Sequence, residues 1–235
     1  MIYGLIIAAG NQTRFKSEVP KALVTINNEC LLDINVRNMN CYCDKVFVVC
    51  SVDNEKYFIE NNYEKIIIES GYGGGDAVLK ALYIINPVPL IDTCFIQWGD
   101  SLQDKSIYPL LIHNYSGTFL IPCIKEQNPY VQVIQDGNRV KINFSKYNEH
   151  ITPGYHDLSI FYGDANFLLF KLLEFKQMIY KEGKFHHKHG NEMEFLDVFN
   201  ETNLPATILE VDFTSRSFNT LEELESIITD VSKLR

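Results

Sequence analysis

The sequence lacks an excess of basic residues. Its 30 aspartates and glutamates outnumber its 21 lysines and arginines and give a formal net charge of −9. Binding to the backbone of DNA or RNA draws its affinity from lysine and arginine, so we expect no general nucleic-acid partner. A small anionic ligand needs only a few cations placed locally. The charge therefore argues against nucleic acid and leaves nucleotides open.

The sequence also lacks long apolar runs and paired cysteines. No run approaches the roughly 18 residues that a membrane-spanning helix needs. The chain enters the strand-like Ile2–Ile7 directly, without a basic leader. Its six cysteines form no CxxC pair and show no zinc-ligand spacing. We expect a protein of the reducing cytoplasm with no membrane partner, in which Cys50, Cys94 and Cys123 act as small apolar residues of strand-like runs.

Short apolar runs alternate with amphipathic stretches in the first half, the pattern of βαβ units. The run Ile2–Ala8 shows no polar alternation, which predicts a parallel strand buried on both faces. Further along, Asp136-Gly137-Asn138 separates two alternating runs and predicts a hairpin. We expect one domain over 1–235 with a Rossmann-like three-layer α/β/α fold, in which a mostly parallel mixed sheet carries an antiparallel insertion.

The first predicted strand leads into a loop suited to phosphate. It continues as Ala8-Ala9-Gly10-Asn11-Gln12-Thr13-Arg14, and Pro20-Lys21 follows. Small residues let the backbone approach a ligand and expose N–H groups at the carboxyl end of the strand. Arg14 and Lys21 add two cations, which we expect to face solvent and meet a triphosphate.

This loop resembles the signature of the sugar-phosphate nucleotidyltransferases, Ala-Ala-Gly-x-Gly-(Thr/Ser)-Arg followed by Pro-Lys. The chain departs from it at Gln12, which stands where the second glycine is usual and would strain a positive φ. The resemblance implies catalytic roles for Arg14 and Lys21. It also implies a nucleotide-binding half, 1–124, and an acceptor-binding half, 125–235. The nucleotide contacts it implies in this loop are Ala8, Ala9, Gly10, Asn11 and Gln12.

A second glycine-rich segment, Gly71–Ala77, resembles the family loop that contacts the base. The resemblance implies nucleotide contacts from Gly73, Gly74, Gly75 and Asp76. A simpler interpretation of Asp76 is that its carboxylate stabilises the first turn of a helix. The two interpretations are compatible.

The segment Phe95–Ser101 resembles the family strand that ends in a metal-binding aspartate. It implies a nucleotide contact from Trp98 and a Mg²⁺ ligand at Asp100, because Mg²⁺ takes few protein carboxylates and completes its shell with phosphate and water. An Asx turn is the alternative for Asp100.

The closing segment resembles a family stretch that implies Asn219 as a second metal ligand, with Asp212 as its rival. Thr220 and Glu223 also fit a capping box at the start of a final helix. A cap would fix the loop just before it, so the metal role and the cap are compatible.

Acceptor contacts are implied for Tyr130, Asp157, Glu192 and Glu194. Asp157 could instead be an exposed aspartate at a strand start, and the glutamates could belong to a capped helix start. The run His186-His187-Lys188-His189 has no carboxylate at a fixed spacing, so we interpret it as a solvated loop rather than a metal site.

The resemblance implies Mg²⁺-dependent transfer of a nucleotidyl group from a nucleoside triphosphate, by analogy CTP or UTP. The acceptor is a small phosphorylated compound, in the first place a sugar phosphate, and pyrophosphate is released. The alternatives are a non-catalytic nucleotide-binding module, which Gln12 favours, and a molybdenum-cofactor-type nucleotidyltransferase. A dinucleotide-dependent oxidoreductase is disfavoured because Gln12 and Phe15 break Gly-x-Gly-x-x-Gly. The oligomeric state stays open, and a homodimer is one option.

Overall fold

The computed structural model describes residues 1–10, 19–59, 63–69, 72–147, 152–188, 190–212, 216–217 and 224. Ten strands in this part of the chain form one sheet. They are β1 (Ile2–Ile7), β2 (Lys45–Ser51), β3 (Glu64–Ile68), β4 (Thr93–Trp98), β5 (Phe119–Glu126), β6 (Val131–Asp136), β7 (Arg139–Phe144), β8 (Gly154–Asp157), β9 (Ile160–Asp164) and β10 (Ala206–Glu210).

Within the described residues, five α-helices flank the sheet, and short elements lie in its loops. The helices are α1 (Leu31–Asn40), α2 (Gly74–Ile85), α3 (Ile107–Asn114), α4 (Ala165–Ile179) and α5 (Asp197–Glu201). The 3₁₀ turns are Lys21–Leu23, Glu55–Tyr57 and Ser145–Tyr147. The two-residue strand pairs are Thr25–Ile26 with Glu29–Cys30, Ser101–Leu102 with Arg216–Ser217, and Tyr180–Lys181 with Lys184–Phe185.

The strand order is β7-β6-β8-β5-β9-β4-β1-β2-β3, with β10 beside β5. The four strands β4-β1-β2-β3 are mutually parallel. Antiparallel pairing begins where β9 joins β4 and includes the β6–β7 hairpin, whereas β10 runs parallel to β5. The Rossmann-like mixed sheet with a parallel core and an antiparallel second half is therefore confirmed.

The sheet separates two hydrophobic cores. Successive residues of a strand point to opposite faces, and Leu5 and Ile6 of β1 are both fully buried. Leu5 packs into the core beneath α2, α4 and α5, whereas Ile6 packs into the core beneath α1 and α3. Cys50, Cys94 and Cys123 are free and buried in these cores, as predicted. In the described part of the chain, no helix combines the length and apolar character that a membrane crossing requires.

Candidate functional site

The carboxyl ends of β1 and β4 lie side by side, because the strands pair in parallel with Ile7 opposite Trp98. The Gly99 N–H donates to the Ile7 carbonyl at 2.9 Å, so the chain leaves both strands at one edge of the sheet. A Cβ at Gly99 would lie 3.1 Å from the Ile7 oxygen, closer than real Cβ atoms usually come. Ala8 and Asp100 follow at this edge, which we call the β1–β4 edge.

The loop after β1 begins with half-buried Ala9 and exposed Gly10. The Asn54 side chain, which follows β2, donates from Nδ2 to the Gly10 carbonyl at 3.2 Å. Asn54 thus fastens the start of the loop to the neighbouring strand end, a role that no sequence pattern signalled. The predicted contacts Asn11 and Gln12 and the predicted catalytic Arg14 lie outside the described residues.

Lys21 and Asp100 meet at the β1–β4 edge. The Lys21 Nζ lies 3.3 Å from Asp100 Oδ2, with 8% of the lysine side chain and 33% of the aspartate side chain exposed. Our expectation of a solvent-facing Lys21 is wrong: the lysine lies in a 3₁₀ turn with nearly its whole side chain buried, and its ammonium meets the partly exposed carboxylate of Asp100. The pair brings a cation and a candidate metal ligand together.

A buried polar network supports the turn that carries Asp100. The Ser101 hydroxyl donates to the Trp98 carbonyl at 2.8 Å, and the Ser101 carbonyl accepts from Asn35 Nδ2 at 2.9 Å. Gln103 Nε2 donates to the Ser101 hydroxyl at 3.1 Å. Asn35 is fully buried on the apolar face of α1. Asn35 thus positions the turn of Asp100. The sequence feature that could have predicted this role is a polar residue on the apolar face of a helix.

The glycine-rich loop is built around Met193, which is fully buried. The Gly75 N–H donates to the Met193 carbonyl at 2.7 Å, and the Met193 N–H donates to the Tyr72 carbonyl at 2.8 Å. A Cβ would lie 2.8 Å from the Met193 oxygen at Gly73 and 2.7 Å at Gly75. Gly73 also has φ +89°, a conformation that favours glycine. Both glycines are therefore required for the loop to pair with the segment 192–194.

Trp98 connects this loop to the β1–β4 edge. A Cβ at Gly74 would lie 3.4 Å from the Trp98 ring, so the two are in contact distance. The half-buried indole also packs edge-on against Phe195, with ring centroids 5.4 Å apart. The two glycine-containing loops predicted to bind nucleotide thus converge on the same edge of the sheet, within the described residues.

Asp76 lies in the first turn of α2 and is 2% exposed. Lys80 Nζ approaches one carboxylate oxygen at 2.8 Å, and Lys176 Nζ approaches the other at 3.1 Å. Both oxygens are therefore occupied by ammonium groups, one of them from α4. This geometry favours the structural interpretation of Asp76, and a nucleotide contact by Asp76 stays a prediction.

Two of the predicted acceptor residues lie near a cation that the sequence did not signal. The Tyr130 carbonyl accepts from the Ser145 N–H at 3.0 Å, which puts half-exposed Tyr130 beside the turn that carries Lys146. The Lys146 ammonium lies 3.3 Å from Glu194 Oε1 and 4.7 Å from the centroid of the Tyr147 ring. Because Glu194 follows Met193, this group is continuous with the glycine-rich loop. Glu192 is exposed just before it.

The structure corrects the sequence prediction for Asp157. It ends β8, is 6% exposed, and its Oδ1 accepts from the Ser159 N–H at 2.9 Å. Ser159 has φ +60°, and its carbonyl accepts from the Trp98 N–H at 3.0 Å. Asp157 therefore stabilises a strained turn next to β4 and is neither an exposed aspartate nor accessible to an acceptor. Burial raises the pKa of this carboxyl above its usual value.

The raised pKa of Asp157 predicts a pH-dependent stability. The cost of burying the charge is fully present above the folded-state pKa and disappears as the pH falls to the unfolded value of about 3.9. Asp157→Asn can keep the bond to Ser159 without the charge. We expect its urea midpoint to equal or exceed that of the wild type at neutral pH and to rise less on acidification. Asp136→Asn, at the exposed hairpin turn, is the control. A variant destabilised mainly at neutral pH would contradict this account.

The histidine run also departs from the prediction. The His187 side chain is 4% exposed, its Nδ1 lies 3.4 Å from Asp197 Oδ2, and its ring packs edge-on against Phe175. Our interpretation of the whole run as a solvated loop is therefore wrong at His187, which packs between α4 and α5. The fourth residue of the run, His189, lies outside the described residues.

The candidate metal ligands are described only in part. Asp212 is exposed just past β10, which runs parallel to β4 through the intervening strands and so ends at the same side of the sheet. Asn219, Thr220 and Glu223 lie outside the described residues. Within the described residues, no group of three or more histidine, cysteine or acidic side chains could hold a metal ion. Mg²⁺ needs only one or two carboxylates beside phosphate and water, so a site based on Asp100 is compatible with these donors.

No protein-family model matches the chain. Over 145 residues it is 26% identical to the bifunctional protein GlmU of Thermotoga petrophila, a match that covers 59% of this chain and 32% of that protein. The chain thus spans about a third of the length of this curated relative.

Two solved structures share the fold at low sequence identity. One, a putative glucose-1-phosphate thymidylyltransferase from Bacillus anthracis, has a TM-score of 0.74 at 12% identity and covers 97% of this chain and 94% of that chain. The other, the inositol-1-phosphate CTP transferase from T. maritima, has a TM-score of 0.72 at 16% identity. It covers 98% of this chain and 95% of that chain.

Proposed function

Because the chain is related by sequence and fold to the sugar-phosphate nucleotidyltransferases, we propose that it is a nucleotidyltransferase. It transfers a nucleotidyl group from a nucleoside triphosphate to a small phosphorylated acceptor and releases pyrophosphate. We favour CTP or UTP as donor and a sugar phosphate as acceptor. The observation that carries the proposal is the convergence of Lys21, Asp100 and the glycine-rich loop on one sheet edge.

The arrangement supports separate donor and acceptor sides. Open α/β sheets bind ligands beyond the carboxyl ends of their parallel strands, where Ala8 and Asp100 follow β1 and β4. The backbone of the glycine-rich loop lies beside Trp98 and suits a flat base. Lys146 with Glu194 stands on the other side of Met193, where the ammonium suits a phosphate and the carboxylate suits hydroxyl groups.

The proposed chemistry is in-line attack by an acceptor phosphate oxygen on the α-phosphorus, with pyrophosphate leaving. The acceptor is already ionised at neutral pH, so catalysis consists of positioning and charge neutralisation. Lys21, and Arg14 by the family signature, would neutralise the charge that develops on the pyrophosphate. The Asn35–Ser101–Gln103 network holds the turn of Asp100 in place for this task.

Asp100 is the residue we propose to hold Mg²⁺, with Asn219 or Asp212 as the second ligand. When bound, the ion supplies positive charge to the phosphate oxygens. The pairing of Asp100 with Lys21 keeps the carboxylate at the β1–β4 edge, where a third of it remains exposed for a ligand.

The test is a matrix of the four ribonucleoside triphosphates and dTTP against sugar phosphates, polyol phosphates and choline phosphate, with Mg²⁺ and a pyrophosphate readout. We expect release that requires both one triphosphate and one acceptor. The change in fluorescence of Trp98, the single tryptophan, reports triphosphate binding in the same samples. Binding without pyrophosphate release from any pair would indicate a non-catalytic nucleotide-binding module instead.

A further inference from the structure

The protein exposes an unusual concentration of large apolar side chains at the end of the sheet opposite the β1–β4 edge. They come from the last turn of α2, the loop that follows it, and the first turns of α4. We call this set the α2–α4 apolar patch: Tyr83 (71% exposed), Ile84 (59%), Leu90 (93%), Ile91 (68%), Phe167 (40%) and Phe170 (58%).

The segments that carry these side chains are neighbours because α2 and α4 pack antiparallel. At the β1–β4 side, Asp76 at the start of α2 pairs with Lys176 near the end of α4. At the opposite side, the Asn166 side chain at the start of α4 donates to the Pro87 carbonyl at 3.1 Å. The end of α2 and the start of α4 therefore share one surface, and the loop over 86–92 joins them.

The patch has the composition of a protein interface. No charged residue occurs in the sequence from Tyr83 to Ile91. The nearest ion pair on α4, Lys171 with Glu174 at 2.7 Å, lies beyond Phe170 in the chain and belongs to the rim. Aromatic and aliphatic side chains inside a charged rim are typical of interface centres.

The exposed area is large enough for stable association. The exposed fractions are together equivalent to about four fully exposed side chains. At 150–250 Å² each, the range for an aromatic side chain, the patch presents roughly 600–1,000 Å². Monomers seldom expose contiguous apolar patches above about 300–600 Å². A stable interface of standard size buries about 800 Å² per partner.

Leu90 gives an independent reason to expect a partner. It has φ +60°, a left-handed conformation that bulky residues rarely adopt, and it is 93% exposed. In the isolated chain this leucine therefore accepts an unfavourable backbone conformation without burying its side chain. Association would bury it.

We propose that the α2–α4 apolar patch is an isologous interface through which two copies of this chain form a dimer. A two-fold axis through the patch apposes the same residues of both copies, so one apolar surface is complementary to itself. Lys171 reaches the patch, with its ammonium 5.6 Å from the centroid of the Phe167 ring, but it is paired with Glu174. The patch therefore carries little of the net positive charge that favours anionic lipid surfaces, and a second copy supplies the matching area. The interface lies away from the β1–β4 edge and is independent of the proposed function.

Sedimentation equilibrium of the full chain, up to about 100 μM, tests the proposal. We expect a reversible dimer whose dissociation constant rises at least about tenfold in Ile91→Glu, because the charge would be buried at the interface. Ile59→Glu is the matched control, since Ile59 is 66% exposed outside the patch, and it should associate like the wild type.

Leu90→Gly separates association from folding. Glycine suits the left-handed backbone, so at a protein concentration where the wild type is monomeric the urea midpoint of this variant should equal or exceed that of the wild type, while its dimer weakens. A wild-type protein that stays monomeric overturns the proposal, as does a dimer that Ile91→Glu leaves unchanged. Binding of a monomer to phosphatidylcholine vesicles would assign the patch to a lipid surface and also overturn it.

Discussion

Asp100→Asn is expected to fold like the wild type and to release pyrophosphate at least about 100-fold more slowly at every Mg²⁺ concentration. Asparagine keeps the shape of the side chain but removes the negative charge that we propose to hold the ion. The side chain is one-third exposed, its amide oxygen can still accept from the buried Lys21 ammonium, and the network around Ser101 remains, so the free energy of unfolding should fall by no more than about 1–3 kcal/mol. Steady-state rates across a Mg²⁺ titration, together with urea unfolding, measure both effects.

The controls for Asp100→Asn separate the metal role from a general loss of charge. Asp104→Asn removes an exposed carboxylate four residues further along the chain and should retain activity. Asn219→Ala should raise the Mg²⁺ requirement more than it lowers the limiting rate. Full activity in excess chelator, or normal turnover of Asp100→Asn, would remove Asp100 from the proposed metal site.

Lys21→Met is expected to lower turnover by about 10²–10³-fold, the cost of removing one preorganised transition-state contact. Because the stem of Lys21 is buried, methionine preserves most of its packing and removes mainly the ammonium. Lys21→Ala should lose the packing as well and destabilise the fold by a further ~1–2 kcal/mol. Single-turnover rates and thermal unfolding of the two variants separate charge from packing.

Lys65→Met is the matched control for Lys21→Met. Lys65 is a partly buried lysine on β3 whose ammonium donates to the Phe58 carbonyl at 2.7 Å. Its replacement should affect stability rather than turnover. Wild-type rates in Lys21→Met would show that the Lys21–Asp100 pair is structural. By the family signature, Arg14→Ala should resemble Lys21→Met in rate.

The sequence predicted the parallel half of the fold because unbroken apolar runs such as Ile2–Ala8 have few alternatives to a buried strand. It also predicted that Lys21 and Asp100 belong to one site, since parallel strands bring their carboxyl ends to the same edge. The sequence predicted a loop at Gly73 and Gly75 but not why these positions must be glycine. The reason is the close approach of Met193, a contact between residues more than a hundred positions apart.

The wrong predictions share one cause. Lys21, Asp157 and His187 are polar residues, and such residues are usually exposed. We therefore predicted exposure for each of them, in the case of Asp157 as one of two alternatives. Each is in fact buried against a partner that is distant in the sequence or, for Asp157, against a turn of unusual conformation. A single sequence does not specify such partners, so the burial of a polar side chain is the property that sequence reasoning predicts least well.

The two backbone hydrogen bonds at Met193 connect regions that bind different substrates in the proposed reaction. On one side of these bonds is the glycine-rich loop, and on the other the chain continues to Glu194, which pairs with Lys146. A ligand that orders either side would also order the other, and part of the conformational entropy cost would then be shared between the two binding events. Donor and acceptor would then favour each other's binding by equal factors, and these two hydrogen bonds would be a thermodynamic link between the proposed donor and acceptor sides.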